Sequence, residues 1–412
     1  MNWIARHRRL VLAFICAFWT GLILLTLTFP EAPFFSSVAR GEQGFYDTLY
    51  RDGRKTPTRS DIIFLGIDES TLNFQPFNPD DVANNRAFQL LTEHPAPWSR
   101  ELWAVTLDRL FEAGARVVMF DMIFGKPGES DEAFRAALDR YHDKVVLGVN
   151  FDQESQMFIW PSRTLIADAE HDDRIGFVIY FPDSLDGVIR TTRYFISDRQ
   201  LAGQKPFPGQ EIFTSLAARV VQKMGQTARL PTALEPQHLR FTEADAYDPK
   251  PLWEIFDPAV WHANYRDGAL FKDKIVMIGA ASQVAHDVVV TPLSSSMSGP
   301  VLHLNAIAAG LAGEFVRMTP VWLRYVLVVA AGLTAWLLIV FVRRLIVCLV
   351  SLGALTFAYL FVARVAFDRN GFLLMTVPVL SAFLASGASS LGWEYILERR
   401  EKLKTRRTLE RY

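Results

Sequence analysis

Residues 10–29 form a run of twenty without a single charge. About twenty apolar residues is what a helix needs to cross the hydrocarbon core of a bilayer. Arg6, His7, Arg8 and Arg9 precede the run. The competing reading is a cleaved signal peptide, whose apolar segment is usually about 7–15 residues long and ends in a small-x-small site. This run is longer and no clear site follows it, so it reads as an uncleaved anchor. Three more apolar runs occupy residues 325–342, 345–363 and 372–393. Only Arg343-Arg344 separates the first two of these, which must turn back as a tight hairpin. Four transmembrane helices are expected.

Basic residues mark the cytoplasmic side of such helices. With four spans, the N-terminal arginines, the Arg343-Arg344 turn and the tail after residue 393 share one face. The tail holds Arg399, Arg400, Lys402, Lys404, Arg406, Arg407 and Arg411. The expected layout is a cytoplasmic start (1–9), a span (10–29) and an extracytoplasmic domain (30–320). Three spans (325–342, 345–363, 372–393) and a cytoplasmic linker helix (394–412) follow. The net charge of −1 hides an asymmetry. Residues 30–320 carry 28 basic and 39 acidic residues; the remainder carries 15 basic and 5 acidic. An acidic exterior does not suit nucleic acid, whose binding rests on basic residues meeting phosphates. The basic tail suits anionic lipid head groups. The two cysteines, Cys16 and Cys348, lie in apolar runs and exclude a disulfide scaffold or a Cys-based zinc site.

Strand-like and helix-like segments alternate in the outer domain. Residues 61–68, 116–121 and 144–150 are short apolar runs suited to buried strands. Residues 100–112 and 130–140 between them have helical spacing, and Ser130 stands as an N-cap. Strand, helix, strand, helix, strand with short links predicts βαβ units and a mainly parallel sheet flanked by helices. Residues 175–181, 189–196 and 274–279 read as further strands, and 207–224 and 303–312 as helices. The fold class is α/β with added transmembrane helices.

Several separated motifs resemble the type-two CHASE domain, a sensor found outside the cytoplasm in bacterial signalling proteins. They are Phe45-Tyr-Asp-Thr-Leu-Tyr-Arg51, the run from Asp61 to Ser70, and Pro97-Trp98-Ser99-Arg100 leading to Phe120-Asp121. Asp186-Gly187-Val188-Ile189-Arg190, Phe271 to Ala280, His286-Asp287 to Leu293, and Gly299-Pro300 to Asn305 follow in order. Ala96 stands where the family usually has a first Trp, and residues 73–95 look like an insertion. The resemblance implies one anchor before the sensor, three spans after it, and a bacterial inner membrane. Residues 406–412 are similar to the linker that precedes the catalytic domain of class III adenylate or guanylate cyclases. The expected function is a signal receptor whose output, an adenylate cyclase or a related receptor kinase, is not in this chain. The chain itself is not expected to be an enzyme, and a homodimer is expected.

Asp68 and Asp121 each end an expected parallel strand, where ligands of open α/β sheets bind. Arg100 opens a helix, Arg190 follows a turn, His286 and Asp287 follow the late strand, and His303 opens the last helix. Asp68, Arg100, Asp121, Arg190, Asp287 and His303 therefore form the candidate site. Two readings stay open: a small polar ligand site, or internal salt bridges. No His-x-x-x-His spacing, Gly-x-Ser-x-Gly elbow, Gly-x-Gly-x-x-Gly or P-loop occurs, so no metal, catalytic group or cofactor is assigned. The alternatives to a receptor are a membrane-anchored periplasmic enzyme, favoured by convergence of Asp68, Asp121 and His303, and a structural subunit of an envelope assembly. Gly332, Gly387 and Ser390 are among the small residues that permit close helix contact, and the last run is the expected dimer face.

Overall fold

The computed structural model describes residues 7–409, apart from 34, 77–78, 94, 282–286 and 343. Arg6, His286, Arg343, Arg411 and Tyr412 lie outside the described residues. The chain divides into two compact units. One comprises residues 1–54, 184–186 and 316–412, the other residues 55–183 and 187–315. The principal elements are numbered here in chain order. The first unit begins with α1 (Arg8–Thr28) and α2 (Ser36–Asp52). The second supplies β1 (Ile62–Ile67), α3 (Glu101–Glu112), β2 (Val117–Ile123), α4 (Asp131–Arg140) and β3 (Val145–Asp152). Then come β4 (Met157–Ile159), β5 (Ile175–Phe177), α5 (Leu216–Lys223), β6 (Lys250–Pro251), β7 (Ile275–Ala280) and α6 (Gly299–Ala312). The first unit resumes with α7 (Val321–Phe341), α8 (Leu345–Asn370) and α9 (Val377–Leu409).

The second unit is built on a seven-stranded sheet in the order β6-β1-β7-β2-β3-β4, with β5 also paired to β3. Every pairing is parallel except β3 with β4. The expected mainly parallel sheet is present, and its cause is visible in the strands. Val118, Met119, Phe120, Val145, Val146, Leu147, Met277 and Ile278 are all fully buried. Continuous apolar strands of this kind need cover on both faces. Two elements differ from expectation. Residues 189–196 form two short strands, Thr191–Thr192 and Phe195–Ser197, in separate antiparallel pairs. The helix expected over 207–224 starts only at Leu216. Pro206, Pro208 and Gly209 interrupt the earlier part, and Ser215 caps the true start by accepting the Ala218 N–H at 3.1 Å.

In the first unit, three helices among the described residues are long and apolar enough to cross a membrane: α1, α7 and α8. Four were expected. The last apolar run opens α9, where Ser381, Ser386, Gly387, Ser389, Ser390 and Gly392 dilute its apolar character. The same helix continues unbroken into the charged tail. Residues 372–376 are not helical, since Phe372 and Leu373 pair with Arg317 and Met318. The expected polar link after residue 363 is instead the last part of α8. Arg364 Nε donates to Asp368 Oδ2 at 2.6 Å across one turn, and Gly371 ends the helix in the left-handed region at φ 58°.

Close packing within this unit depends on small residues. A Cβ on Gly332 would overlap the Thr20 hydroxyl, and one on Gly387 would stand 2.8 Å from Leu352 Cδ2. Ser386 and Ser390 are fully buried. The small face of α9 is therefore used inside the chain, against α1 and α8. Midway along α9, Arg8 Nη2 donates to Glu394 Oε2 at 2.9 Å. At its start, the buried Glu42 of α2 accepts the N–H groups of Thr376, at 2.9 Å, and Val377. Glu42 thus caps a helix that lies more than three hundred residues away in sequence. Replacing it with Ala leaves these donors without their acceptor, at about 1–3 kcal/mol for each that is buried. The detergent-solubilised Glu42→Ala chain is expected to melt several degrees lower, with Glu42→Gln recovering part of the loss. An unchanged melting temperature would remove Glu42 as the cap.

Candidate functional site

The end of β2 builds the site. The register between β2 and β3 shifts between Phe120 and Ile123, while Asp121 stays opposite Gly279 of β7. A register change at a strand end re-aims the side chains there. A crevice of roughly 500 Å3 opens at the carboxyl ends of β2 and β3 and beyond the end of β5. Asp121, Asn150, Gln153, Tyr180 and Asp287 supply its polar wall. Met122, Ile123, Phe151, Val178 and Ile179 supply the apolar one. This is the edge at which open parallel sheets bind ligands.

The Asp121 side chain is 6% exposed, and its Oδ2 has no hydrogen-bond partner. Burial alone pushes its carboxyl up to about 7. His303 of α6 places Nε2 at 3.9 Å from that oxygen, and Nε2 also lacks a partner. Burial pushes the imidazole down to about 4, against the charge of Asp287 and a hydrogen bond to the Val178 backbone. The Tyr180 ring stacks on it with centroids 5.0 Å apart. Burial thus disfavours the charged form of both partners.

Asp287 lies against the start of α6. Its carbonyl accepts the Gly299 N–H at 3.0 Å. A Cβ on Gly299 would stand 2.5 Å from both carboxylate oxygens and closer still to the Tyr180 hydroxyl. Glycine at this position is what lets both groups reach the helix start. Burial raises the Asp287 carboxyl, the Asp121 charge raises it further, and His303 opposes them.

The other candidates sit elsewhere. Asp68 is an N-cap: Oδ1 accepts the Thr71 N–H at 2.8 Å, and the Ser70 and Thr71 hydroxyls donate to the same carboxylate. It ends β1, two strand positions from β2, which is about 10 Å at ordinary spacing. Arg100 lies 4.6 Å over the Phe124 ring and 3.5 Å from Asp131 Oδ1. Arg190 is 3% exposed, and its carbonyl accepts the Leu239 N–H at 3.1 Å. None of these three lines the crevice. Asp121, Asp287 and His303 are brought together, and Tyr180, Asn150, Gln153 and Gly299 join them without having been singled out. Trp98 and Trp103 pack in the core, and no tryptophan lines the crevice.

Among the described residues, His142, Asp172 and Asp173 form the one set within metal-ligand reach of each other. Arg174 Nη2 stands 2.7 Å from Asp172 and Lys223 Nζ 3.4 Å from Asp173, so two cations already serve it.

A family model for the CHASE2 domain matches residues 15–342. The chain belongs to the CHASE2 family. Searches of curated proteins and of solved structures gave no match. The match begins inside α1 and ends just after α7, so this CHASE2 sensor comes with membrane-crossing helices as part of one sequence unit.

The Asp121 carboxyl gives the CHASE2 domain a pH signature. Its folded pKa is raised, so the folded protein holds a proton that the unfolded chain has released, and stability falls as pH rises from about 4 to about 7. His303 is depressed, so its contribution falls as pH drops from 6.5 to about 4. Asp287, His303 and Tyr180 face Asp121, and Asp121→Asn removes the first effect together with the rise that the Asp121 charge imposes on Asp287. The variant's stability advantage is expected to grow by about 1.4 kcal/mol per pH unit between pH 5 and pH 7 and then level off. Denaturation at pH 5, 6, 7 and 8 measures it. A pH-independent difference would mean that Asp121 has a partner.

Proposed function

We propose that this CHASE2 protein is a transmembrane signal receptor whose crevice at Asp121 is the extracytoplasmic input. The observation that carries the reading is the buried Asp121 carboxyl, unpartnered beside a polar crevice. The great majority of buried polar groups are hydrogen-bonded, and a perturbed acid in a cleft is a mark of function. The enzyme alternative needs Asp68 beside Asp121 and His303, and Asp68 is committed to a helix cap.

The first half of α9 serves as a fourth span in this proposal. It is uncharged from Val377 to Trp393. Glu394, just beyond, pairs with Arg8, the first residue of α1, so the two apolar stretches end level. The buried Ser386 and Ser390 are kept from lipid. Four spans return the basic tail to the side of the N-terminal arginines, the cytoplasmic side. There it presents a linker to an output domain, for which the similarity of residues 406–412 favours an adenylate cyclase. A homodimer belongs to the proposal, because paired linkers suit such an output. Gly387 and Ser390 are used within the chain, which leaves the exposed apolar residues of α8, such as Ile346 and Phe357, for lipid or a second copy.

Tyr180 and Asp287 of the crevice wall pack against Gly299 at the start of α6, and the chain runs from α6 through residues 313–320 into α7. A ligand that favours one placement of α6 shifts the population of helix arrangements beyond it. Two measurements test this. Reporter fusions after residue 412 and within residues 226–257 are expected to report inside and outside respectively; an external tail removes the fourth span and the receptor reading. A chimera carrying a reporter cyclase after residue 412 is expected to change its output on Gly299→Val, which wedges the crevice, and not on Asp68→Asn. Unchanged output from Gly299→Val at equal expression would remove the crevice as the input.

A further inference from the structure

We infer that the Asp121–Asp287 crevice binds a small organic ammonium ion, an inference that rests on the crevice being the input. Two carboxyl groups reach the crevice, together with the amides of Asn150 and Gln153 and the Tyr180 hydroxyl. No lysine or arginine is among its described lining residues. An anionic ligand would meet two acids and no positive charge. Asp121 Oδ2 is buried without a partner, and burial disfavours the charged form of the His303 beside it, so no arginine or lysine among the described lining residues offsets the two acids. A cation between the carboxylates relieves the repulsion that each imposes on the other and replaces the water that burial took from Asp121.

The room and the remaining wall distinguish an organic cation from a metal ion. Among the described residues, Asp121, Asp287 and His303 do not come within metal-ligand reach of one another as a set. A crevice of roughly 500 Å3 is also far larger than an ion needs. Met122, Val178, Ile179 and Phe151 line the rest of it, which suits an alkyl chain. An ammonium head with a short apolar body satisfies both walls at once.

The test uses the full chain in lipid nanodiscs at pH 8, titrated with n-butylammonium chloride and read by calorimetry and melting temperature. Sodium phosphate, 1-butanol, calcium chloride and magnesium chloride are the comparison probes at matched ionic strength. Saturable binding of butylammonium is expected, weakened at least tenfold by Asp121→Asn and by Asp287→Asn and unchanged by Asp68→Asn. Melting curves of the unliganded variants show that each is folded. Equal or stronger binding of phosphate or 1-butanol overturns the ligand class, as does a response to divalent cations alone; the crevice then remains the input. Absence of butylammonium binding also overturns the inference. If, in addition, Gly299→Val leaves the chimera's output unchanged, the input reading falls with it.

Discussion

A parallel sheet sends the carboxyl ends of its strands to one edge, and the candidate site of this protein depends on that constraint. β7 comes from the far end of the domain yet inserts between β1 and β2, with Ile275 to Gly279 opposite Val117 to Asp121. That insertion carries the chain after β7, with Asp287 and then α6, to the end of β2. Without it Asp121 and His303, separated by nearly half the chain, have no reason to meet. The same insertion moves Asp68 away, because β7 now stands between β1 and β2.

The two buried groups at this edge are held at odds with solution chemistry. Asp121 tends to keep its proton and His303 tends to lose one, both because burial disfavours charge. A salt bridge would have settled both needs, as Asp172 and Arg174 do at 2.7 Å elsewhere in the domain. At 3.9 Å, with neither atom hydrogen-bonded, the Asp121–His303 pair does not settle them. Elsewhere in the domain Asp68 caps a helix and Asp131 Oδ2 accepts the Gly128 N–H.

The helical unit shows a different economy of contact. Apolar surface alone gives helices in lipid little reason to associate, so close approach and polar contacts must do so. Gly332 against Thr20, Gly387 against Leu352 and Trp19 Nε1 donating to Ser389 at 2.8 Å are such contacts. Glu42 ties α9 at its start and the Arg8–Glu394 pair ties it midway along its length. These ties explain how a helix too rich in serine and glycine to look like a span by composition is nevertheless held lengthwise in the bundle.

Much of the fold was legible in the residues themselves. The apolar runs of β1, β2, β3 and β7 and the spacing of α3 and α4 dictate a parallel α/β sheet, because only that arrangement buries such strands on both faces. The charge-free runs of α1, α7 and α8 likewise announce membrane helices. Asp121, Asp287 and His303 were legible as candidates because they stand at strand ends and near a helix start. Which of the candidates meet was decided by strand order, a long-range property that no local pattern carries. Tyr180 and Gly299 joined the site only through packing across distant segments. Asp68, Arg100 and Arg190 looked equivalent to the others in sequence, yet local hydrogen bonds and core burial took them for structure. The sequence by itself determined the strands of the parallel sheet, the helices between them and three membrane runs, since those follow from period and hydropathy. The tertiary structure alone decided which carboxylates are left unpaired, since that depends on which neighbours the sheet brings to each one.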